Sequence, residues 1–230
     1  MIYVEQLSKR YDGRTVLEVP HWRVEPGEIV GLVGSNGAGK TTFLRLLLDL
    51  IEPDTGMVHI DGQPVTNPRW KSFTGSFLDQ RFLIDYLSSG EFLDFIRAIY
   101  GLSRVEADKA LEPFRAFLPM NGDAGKYLRD LSTGNAKKVG ITAAMFFGPR
   151  LMVLDEPFAN LDPPSQLKLK HLLKKAHEET GATMLISSHD LVHVTDLCSR
   201  ITLIDRGRVV KDAPTSAQTL HELRDFFAGT

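Results

Sequence analysis

Residues Leu32 to Thr42, LVGSNGAGKTT, constrain this chain more than any other stretch. Within them, Gly34-Ser35-Asn36-Gly37-Ala38-Gly39-Lys40-Thr41 has two glycines bracketing four residues, then Lys and a hydroxyl residue, the spacing of a phosphate-binding loop. The spacing carries weight only between a strand and a helix. Glu28 to Val33 (EIVGLV) predicts a short buried strand, and Thr42 to Ile51 predicts an apolar helix stopped near Pro53. Glycines at 34, 37 and 39 allow a tight turn and let phosphate oxygens reach main-chain N–H groups. The helix that begins near Lys40 turns its positive dipole end on the same anion. Lys40 supplies an ammonium for the β- and γ-phosphates, and the Thr41 hydroxyl is a ligand for Mg²⁺. Ser35, Asn36, Ala38 and Thr42 complete the set of nucleotide-contacting positions. A glycine-rich turn with a chance lysine is disfavoured by both flanks, and Gly31, Gly34 and Gly37 lack the G-x-G-x-x-G spacing of a dinucleotide loop. The stretch predicts a nucleoside triphosphate site.

A chain of 230 residues is long enough for one good core, or for a domain with a sizeable insertion. The formal net charge of −2 gives no electrostatic footprint for nucleic acid or for a polybasic membrane anchor. A single cysteine, Cys198, excludes an internal disulfide framework and reads as a small core residue. The start, MIYVEQLSKRY, lacks the apolar core of a signal peptide, and no run approaches the ~18 apolar residues that span a bilayer. Membrane association is therefore expected through a partner.

Three β-rich stretches, Ile2 to Tyr11, Thr15 to Val24 and Met57 to Val65, are broken by Asp12-Gly13, Pro26-Gly27 and Asp61-Gly62 and predict antiparallel strands. Tyr11 ends the first strand, where it would stack on a nucleobase or serve equally as a half-buried strand tyrosine. Gln80 follows a β-like run from Ser72 to Leu78; alone it is a loop residue whose amide oxygen suits Mg²⁺ or a water. From Phe82 to Gly148 the pattern turns helical. Ser88-x-x-Glu91 is a capping box, with Phe92, Leu93, Phe95, Ile96, Ile99 and Tyr100 as a stripe for packing, or for a partner's docking where Phe and Tyr are exposed, and Gly101 as the stop. Ser103-x-x-Glu106 opens another helix, broken by Pro113 and ended by Pro119. Leu131-Ser132-Thr133-Gly134-Asn135 leads into a helix from Ala136 to Phe147; its Ser and Gly make either an anion site or an ordinary N-cap, and by themselves favour the cap.

Leu151 to Leu154 is a buried strand ending in Asp155-Glu156. Ligands of a parallel sheet lie beyond the carboxyl ends of its strands, so these acids are expected there, Asp155 for Mg²⁺ and Glu156 for the water that attacks the γ-phosphate. Capping of the next helix is the alternative for the pair. Pro164 to Thr180 predicts an amphipathic helix, Leu169, Leu172, Leu173 and Ala176 inward, closed by Gly181. Thr183 to Ser187 is another buried strand, and His189 just beyond it suits contact with a γ-phosphate or a structural role. His193 lies four residues on, but two histidines without a third ligand make no metal site. Arg200 to Asp205 and Arg208 to Lys211 predict a hairpin around Arg206-Gly207, and Leu220, Leu223, Phe226 and Phe227 mark a final helix.

Together these stretches resemble the nucleotide-binding subunit of an ATP-binding-cassette (ABC) transporter over essentially the whole chain. The parts occur in family order: an adenine-stacking aromatic at Tyr11, the phosphate loop, a Q-loop at Gln80, and the signature LSTGN at 131–135. LMVLDE at 151–156, a D-loop Ala159-Asn160-Leu161-Asp162 and a switch His189 follow. The resemblance implies an α/β fold, a P-loop NTPase core of mostly parallel sheet flanked by helices, with an antiparallel β subdomain and an inserted helical subdomain. On that reading residues 1–81 and 149–230 form the core, and 82–148 form the insert that carries the signature.

It also implies ATP and Mg²⁺ as cofactors and a mechanism. Two such subunits, expected to be identical, face head to tail around two ATP. Lys40, Thr41, Gln80, Asp155, Glu156 and His189 act on the chain's own nucleotide, with Thr41, Gln80 and Asp155 around Mg²⁺. Ser132 and Gly134 clasp the partner's γ-phosphate, and Asp162 contacts across the dimer. A separate integral membrane subunit is the implied partner, no nucleic acid is expected, and the chain would sit on the cytoplasmic face of the cell membrane. The family signature usually reads LSGGQ; here Thr133 and Asn135 replace a Gly and the Gln, which predicts altered geometry or rate. EFLDFIRAIYGL and the STGN signature look more like the drug- and antibiotic-exporter branch, as does a chain ending soon after the core, so export is expected. A soluble cassette ATPase of DNA repair or translation is the rival. The first usually has a long coiled-coil insert and the second two cassettes, and this sequence has room for neither. A non-hydrolysing regulatory module would lack Glu156 or His189.

Overall fold

The computed structural model describes residues 1–118 and 125–228; the predicted helix end at Pro119 lies outside them. In chain order the strands are β1 (Ile2–Tyr11), β2 (Arg14–Val24), β3 (Ile29–Val33), β4 (Thr55–Ile60), β5 (Gln63–Pro64), β6 (Thr74–Phe77), β7 (Leu151–Leu154), β8 (Thr183–Ser188), β9 (Arg200–Asp205) and β10 (Arg208–Pro214). The helices are α1 (Lys40–Leu47), α2 (Ser89–Ile99), α3 (Arg104–Leu111), α4 (Thr133–Met145), α5 (Pro163–Thr180), α6 (Leu191–Thr195) and α7 (Ala217–Ala228). The fold is mixed α/β, and the described chain divides into two compact units, Met1–Trp70 with Thr183–Thr230, and Lys71–Ala182.

In the first unit, strands run in the order β5-β4-β1-β2-β10-β9-β3-β8. The first part is antiparallel, as the turn residues predict: β1 pairs with β2 and β4, and β4 with β5. The β1–β2 turn is Asp12-Gly13, with φ of 50° and 75°, the doubly left-handed pair that matches strand twist in a two-residue hairpin. Asp61-Gly62 and Arg206-Gly207 close the β4–β5 and β9–β10 hairpins in the same way. The rest is parallel, with β3 between β8 and β9. All five residues of β3 are buried, as required of a strand covered on both faces. Helix α1 is shorter than the apolar run, ending at Leu47, and it buries Phe43, Leu44, Leu46 and Leu47. Trp22 meets Phe43 edge-on with centroids 5.0 Å apart, and its indole N–H donates to Thr202 Oγ1 at 3.1 Å. Cys198 is buried, which pushes its thiol up and away from nucleophilic use. Helix α7 buries Leu223, with Leu220, Phe226 and Phe227 half-buried.

In the second unit, β6 and β7 are parallel neighbours and helices α2 to α5 accompany them. Both capping boxes are present: Ser88 and Glu91 exchange hydrogen bonds at the start of α2, as do Ser103 and Glu106 at α3. The aromatic stripe of α2 is only partly a packing face. Phe92 and Leu93 are buried, whereas Phe95 is 44% and Ile99 60% exposed. Tyr100 at its end does pack, stacking on Phe147 with centroids 3.5 Å apart and donating to Thr74 O at 3.0 Å. Helix α5 buries Leu169, Leu172 and Leu173 and ends on Gly181 in the left-handed region, with Ala176 half-buried. Among the described residues, no helix is long and apolar enough to cross a membrane.

Candidate functional site

In the first unit, β3 and β8 pair with Val33 opposite Ser188. Gly34 and His189 are the next residues of each strand, so the phosphate loop and His189 leave the carboxyl ends of neighbouring strands, which lie about 4.8 Å apart in a sheet. Ligands of parallel sheets bind at this edge. His189 is exposed there.

The loop is held on both sides. A Cβ at Gly34 would come within 2.3 Å of Ile204 O, so the position admits no side chain. Ala38 O accepts from Gly207 N at 2.8 Å. Gly39 is the N-cap of α1 at φ 109°, a conformation glycine takes without steric penalty, and it has no side chain to fill the space where an anion would meet the helix end. Ser35, Asn36 and Gly37 are exposed, Ala38 is buried, and Thr41 and Thr42 are half-buried in the first turn. Lys40 is buried, and its Nζ donates to Gly34 O at 2.6 Å and Ser35 O at 3.2 Å. Two loop carbonyls thus hold the ammonium over the concave loop. Tyr11 is 47% exposed, with Lys9 Nζ 5.5 Å from its ring centroid, which leaves an accessible aromatic surface at the end of β1.

In the second unit, Phe77 pairs with Leu154, and Asp155 N donates to Phe77 O at 2.8 Å. Gln80 starts a short 3₁₀ turn three residues after Phe77, so Gln80, Asp155 and Glu156 all follow the carboxyl ends of one parallel pair. Asp79 caps that turn, accepting from Arg81 N at 2.9 Å and from its guanidinium at 2.7 Å. Asp155 is buried and Glu156 half-buried. Glu156 has φ 46°, a left-handed conformation that costs a non-glycine residue roughly 1–2 kcal/mol. Asn160 repeats it at φ 63°. The turn ends on Asp162, the N-cap of α5, whose carboxylate accepts from Ser165 N at 2.8 Å and Oγ at 2.9 Å. The Ser165 N–H and hydroxyl, with Lys138 beside them, hold the Asp162 carboxyl below the usual carboxylate range.

Ser132 is the N-cap of α4, and its Oγ accepts from Asn135 N at 3.3 Å. The capping role is therefore real, and the hydroxyl still has a proton to donate. The helix starts at Thr133, so Gly134 lies in its first turn. Sequence reasoning missed two residues here. One is Asp79. The other is Lys137, whose buried ammonium donates to Glu156 O and Ala159 O, both at 2.8 Å. It stands beside Lys138 in α4, and the sequence held no signal that set the two lysines apart. Among the described residues, no group of three or more His, Cys, Asp or Glu side chains is arranged to hold a metal ion. A nucleotide-bound Mg²⁺ asks for less than that, taking one or two carboxylates and filling the rest from phosphate, water and other oxygens. Asp155 is a carboxylate of that kind, and Thr41 and Gln80 each carry a side-chain oxygen.

A mixed α/β fold with a preformed phosphate loop, and paired acids after a buried strand, is the make-up of a phosphate-loop nucleotide-binding protein. A protein-family model described as ABC transporter matches residues 17–159, more than half of the chain, and the chain belongs to this family. It is similar to the uncharacterized ABC transporter ATP-binding protein MJ1023 of Methanocaldococcus jannaschii, 32% identical over 91% of this chain and 76% of that protein. It is also similar to the nickel import ATP-binding protein NikE of Rhodospirillum rubrum, 34% identical over 92% of this chain and 80% of that one. Among solved structures, the dimeric post-hydrolysis state of the cassette MJ0796 bound to ADP and Pi superposes with a TM-score of 0.84 at 25% identity, covering 94% of this chain and all of that one. The chain is the ATP-binding subunit of an ABC transporter, an ATPase domain.

Proposed function

We propose that this subunit hydrolyses Mg-ATP within a head-to-tail pair of cassettes and so drives translocation through a separate integral membrane subunit. The observation that supports this most directly is the phosphate loop, anchored to the β9–β10 hairpin with Lys40 held across it, at the same sheet edge as His189. Main-chain N–H groups of residues 34–42 and the α1 dipole bind the phosphates, Lys40 neutralises the β- and γ-oxygens, and Tyr11 stacks on adenine. Thr41, Gln80 and Asp155 would hold Mg²⁺, which when bound would offset charge on the phosphate oxygens. Glu156 orients and deprotonates the attacking water, Gln80 hydrogen-bonds that water, and His189 contacts the γ-phosphate. Ser132 and Gly134 donate to the nucleotide of the second subunit, and Asp162 makes a contact across the pair.

The finer parts of the reading are an identical second subunit, a helical insert at 82–148 in a core of 1–81 and 149–230, and a place on the cytoplasmic face of the membrane without a nucleic-acid partner. The expectation of export rests on EFLDFIRAIYGL, STGN and the short stretch after the core, and the similarity to a nickel import protein gives it no support. The family match is to transporters, and it gives the repair or translation switch none.

Glu156→Gln tests the chemistry. Turnover of the purified chain should fall at least ~10²-fold, as for a lost general base, while a fluorescent ATP analogue binds as to wild type. Wild-type turnover in this variant would overturn the assignment.

A further inference from the structure

Helix α4 meets the Glu156–Asp162 turn at three successive points within the second unit. A Cβ on Gly134 would lie 2.8 Å from Asn160 O, so the first helical turn is already against that backbone. Lys137 Nζ donates to Glu156 O and Ala159 O. Lys138 Nζ stands 3.5 Å from the Asp162 carboxylate.

Lys137 is the unusual member. It is only 6% exposed, and burial draws its ammonium down from the ordinary lysine range, with Glu156, Asp155 and Asp79 pulling it back up. A buried cation is tolerated when it is hydrogen-bonded and opposite charge is near; here two of the three ammonium donors are taken and three carboxylates pull the same way. Its two acceptors are chosen with consequence. One is the carbonyl of Glu156 itself, whose φ of 46° needs external support to persist. The other, three residues on, fixes the far side of the same turn.

We propose that Lys137 is a positioning residue for ATP hydrolysis: by bonding Glu156 O and Ala159 O, it fixes the backbone from which the Glu156 carboxylate is aimed. The inference rests on the reading of Glu156 as the general base. It makes the helix capped by Ser132 the support of the base in its own chain. A side chain that only filled space would be replaceable by any residue of its length. A side chain that orients a base needs the two hydrogen bonds, and loss of aim at a reacting centre costs about 10²-fold in rate.

The test uses the full chain with Mg-ATP and compares wild type, Glu156→Gln, Lys137→Met and Lys137→Arg. Each is followed by turnover, by binding of a fluorescent ATP analogue and by Tm. Lys137→Met keeps length and apolar stem without donors, and Lys137→Arg keeps a cation with donors. The expected result is kcat lowered by about 10- to 100-fold in Lys137→Met, KM within about threefold of wild type, and part of the rate restored in Lys137→Arg. Wild-type kcat in Lys137→Met overturns the inference, as does equal loss of rate and nucleotide affinity in both variants with a lowered Tm, which marks a purely structural clamp. Glu156→Gln separates the two claims. If it turns over normally, or wild type does not turn over at all, the hydrolytic reading fails and this inference with it; if it is dead and Lys137→Met is not, only the inference falls.

Discussion

The phosphate loop and the Glu156–Asp162 turn both follow buried parallel strands, and each holds a lysine on a pair of main-chain carbonyls. They differ in where the support comes from. In the loop the left-handed positions fall on Gly37 and Gly39, and Lys40 reaches carbonyls only six and five residues back. In the turn they fall on Glu156 and Asn160, and the lysine comes from a helix 19 and 22 residues earlier. The loop's left-handed positions and its lysine thus come from one motif, with the β9–β10 hairpin adding the bond from Gly207 N to Ala38 O. The turn's conformation is imposed on residues that resist it, and on the proposed role of Glu156 a glycine there would remove the base.

The largest effect expected from this contrast is at Lys40. Lys40→Ala removes the cation from the phosphates, and turnover should fall about 10²–10³-fold, the usual loss when one preorganised charge-stabilising donor is deleted. Because the glycines hold the loop, Tm of the nucleotide-free chain should stay near that of wild type. A Tm loss as large as that of Lys137→Met would show that the loop lysine is also structural and would erase the difference between the two regions.

The same contrast explains what could be read from the sequence. The loop, the buried strands at 29–33, 151–154 and 183–188, the Asp-Gly hairpins and both capping boxes follow from local chemistry: turn residues, runs of apolar residues, reciprocal Ser–Glu caps. Side-chain roles that depend on another element did not follow. Nothing within the helix itself says that the ammonium of Lys137 ends on Glu156 O. Phe95 and Ile99 read as packing because spacing alone cannot tell a face that is covered from one that is not. Tyr11, Gln80 and His189 were each weak alone; pairing register now sets His189 beside the phosphate loop and Gln80 past the strand next to β7.

A smaller, sharper effect separates backbone from carboxylate in the turn. Glu156→Gly and Glu156→Ala both remove the base, so both should be inactive. They differ in cost. Alanine keeps the left-handed penalty of roughly 1–2 kcal/mol, while glycine sheds it and gives back about 0.4–1 kcal/mol through a freer unfolded chain. Glycine should therefore be the more stable in urea unfolding, by up to about 1.6 kcal/mol. A glycine variant less stable than the alanine one would mean that position 156 carries less strain than its φ implies, and the turn would then need little outside support.

The smallest effect tests where the turn ends. Asp162 caps α5 through Ser165, and its folded pKa is lowered chiefly by that N–H, so the stability it adds is complete above its unfolded value and fades as pH falls through the folded one. Asp162→Ala should lower Tm modestly at neutral pH, and the gap to wild type should close in acid below the ordinary carboxylate range. Asp162→Asn keeps a side-chain oxygen that can accept from Ser165 without a titrating charge. Its stability relative to alanine should hardly change over the same pH range. If asparagine and alanine fall together at neutral pH, the charge opposite Lys138, and not the cap, holds this end of the turn. Both ends would then depend on lysines of α4, whereas the loop's own lysine comes from within its motif.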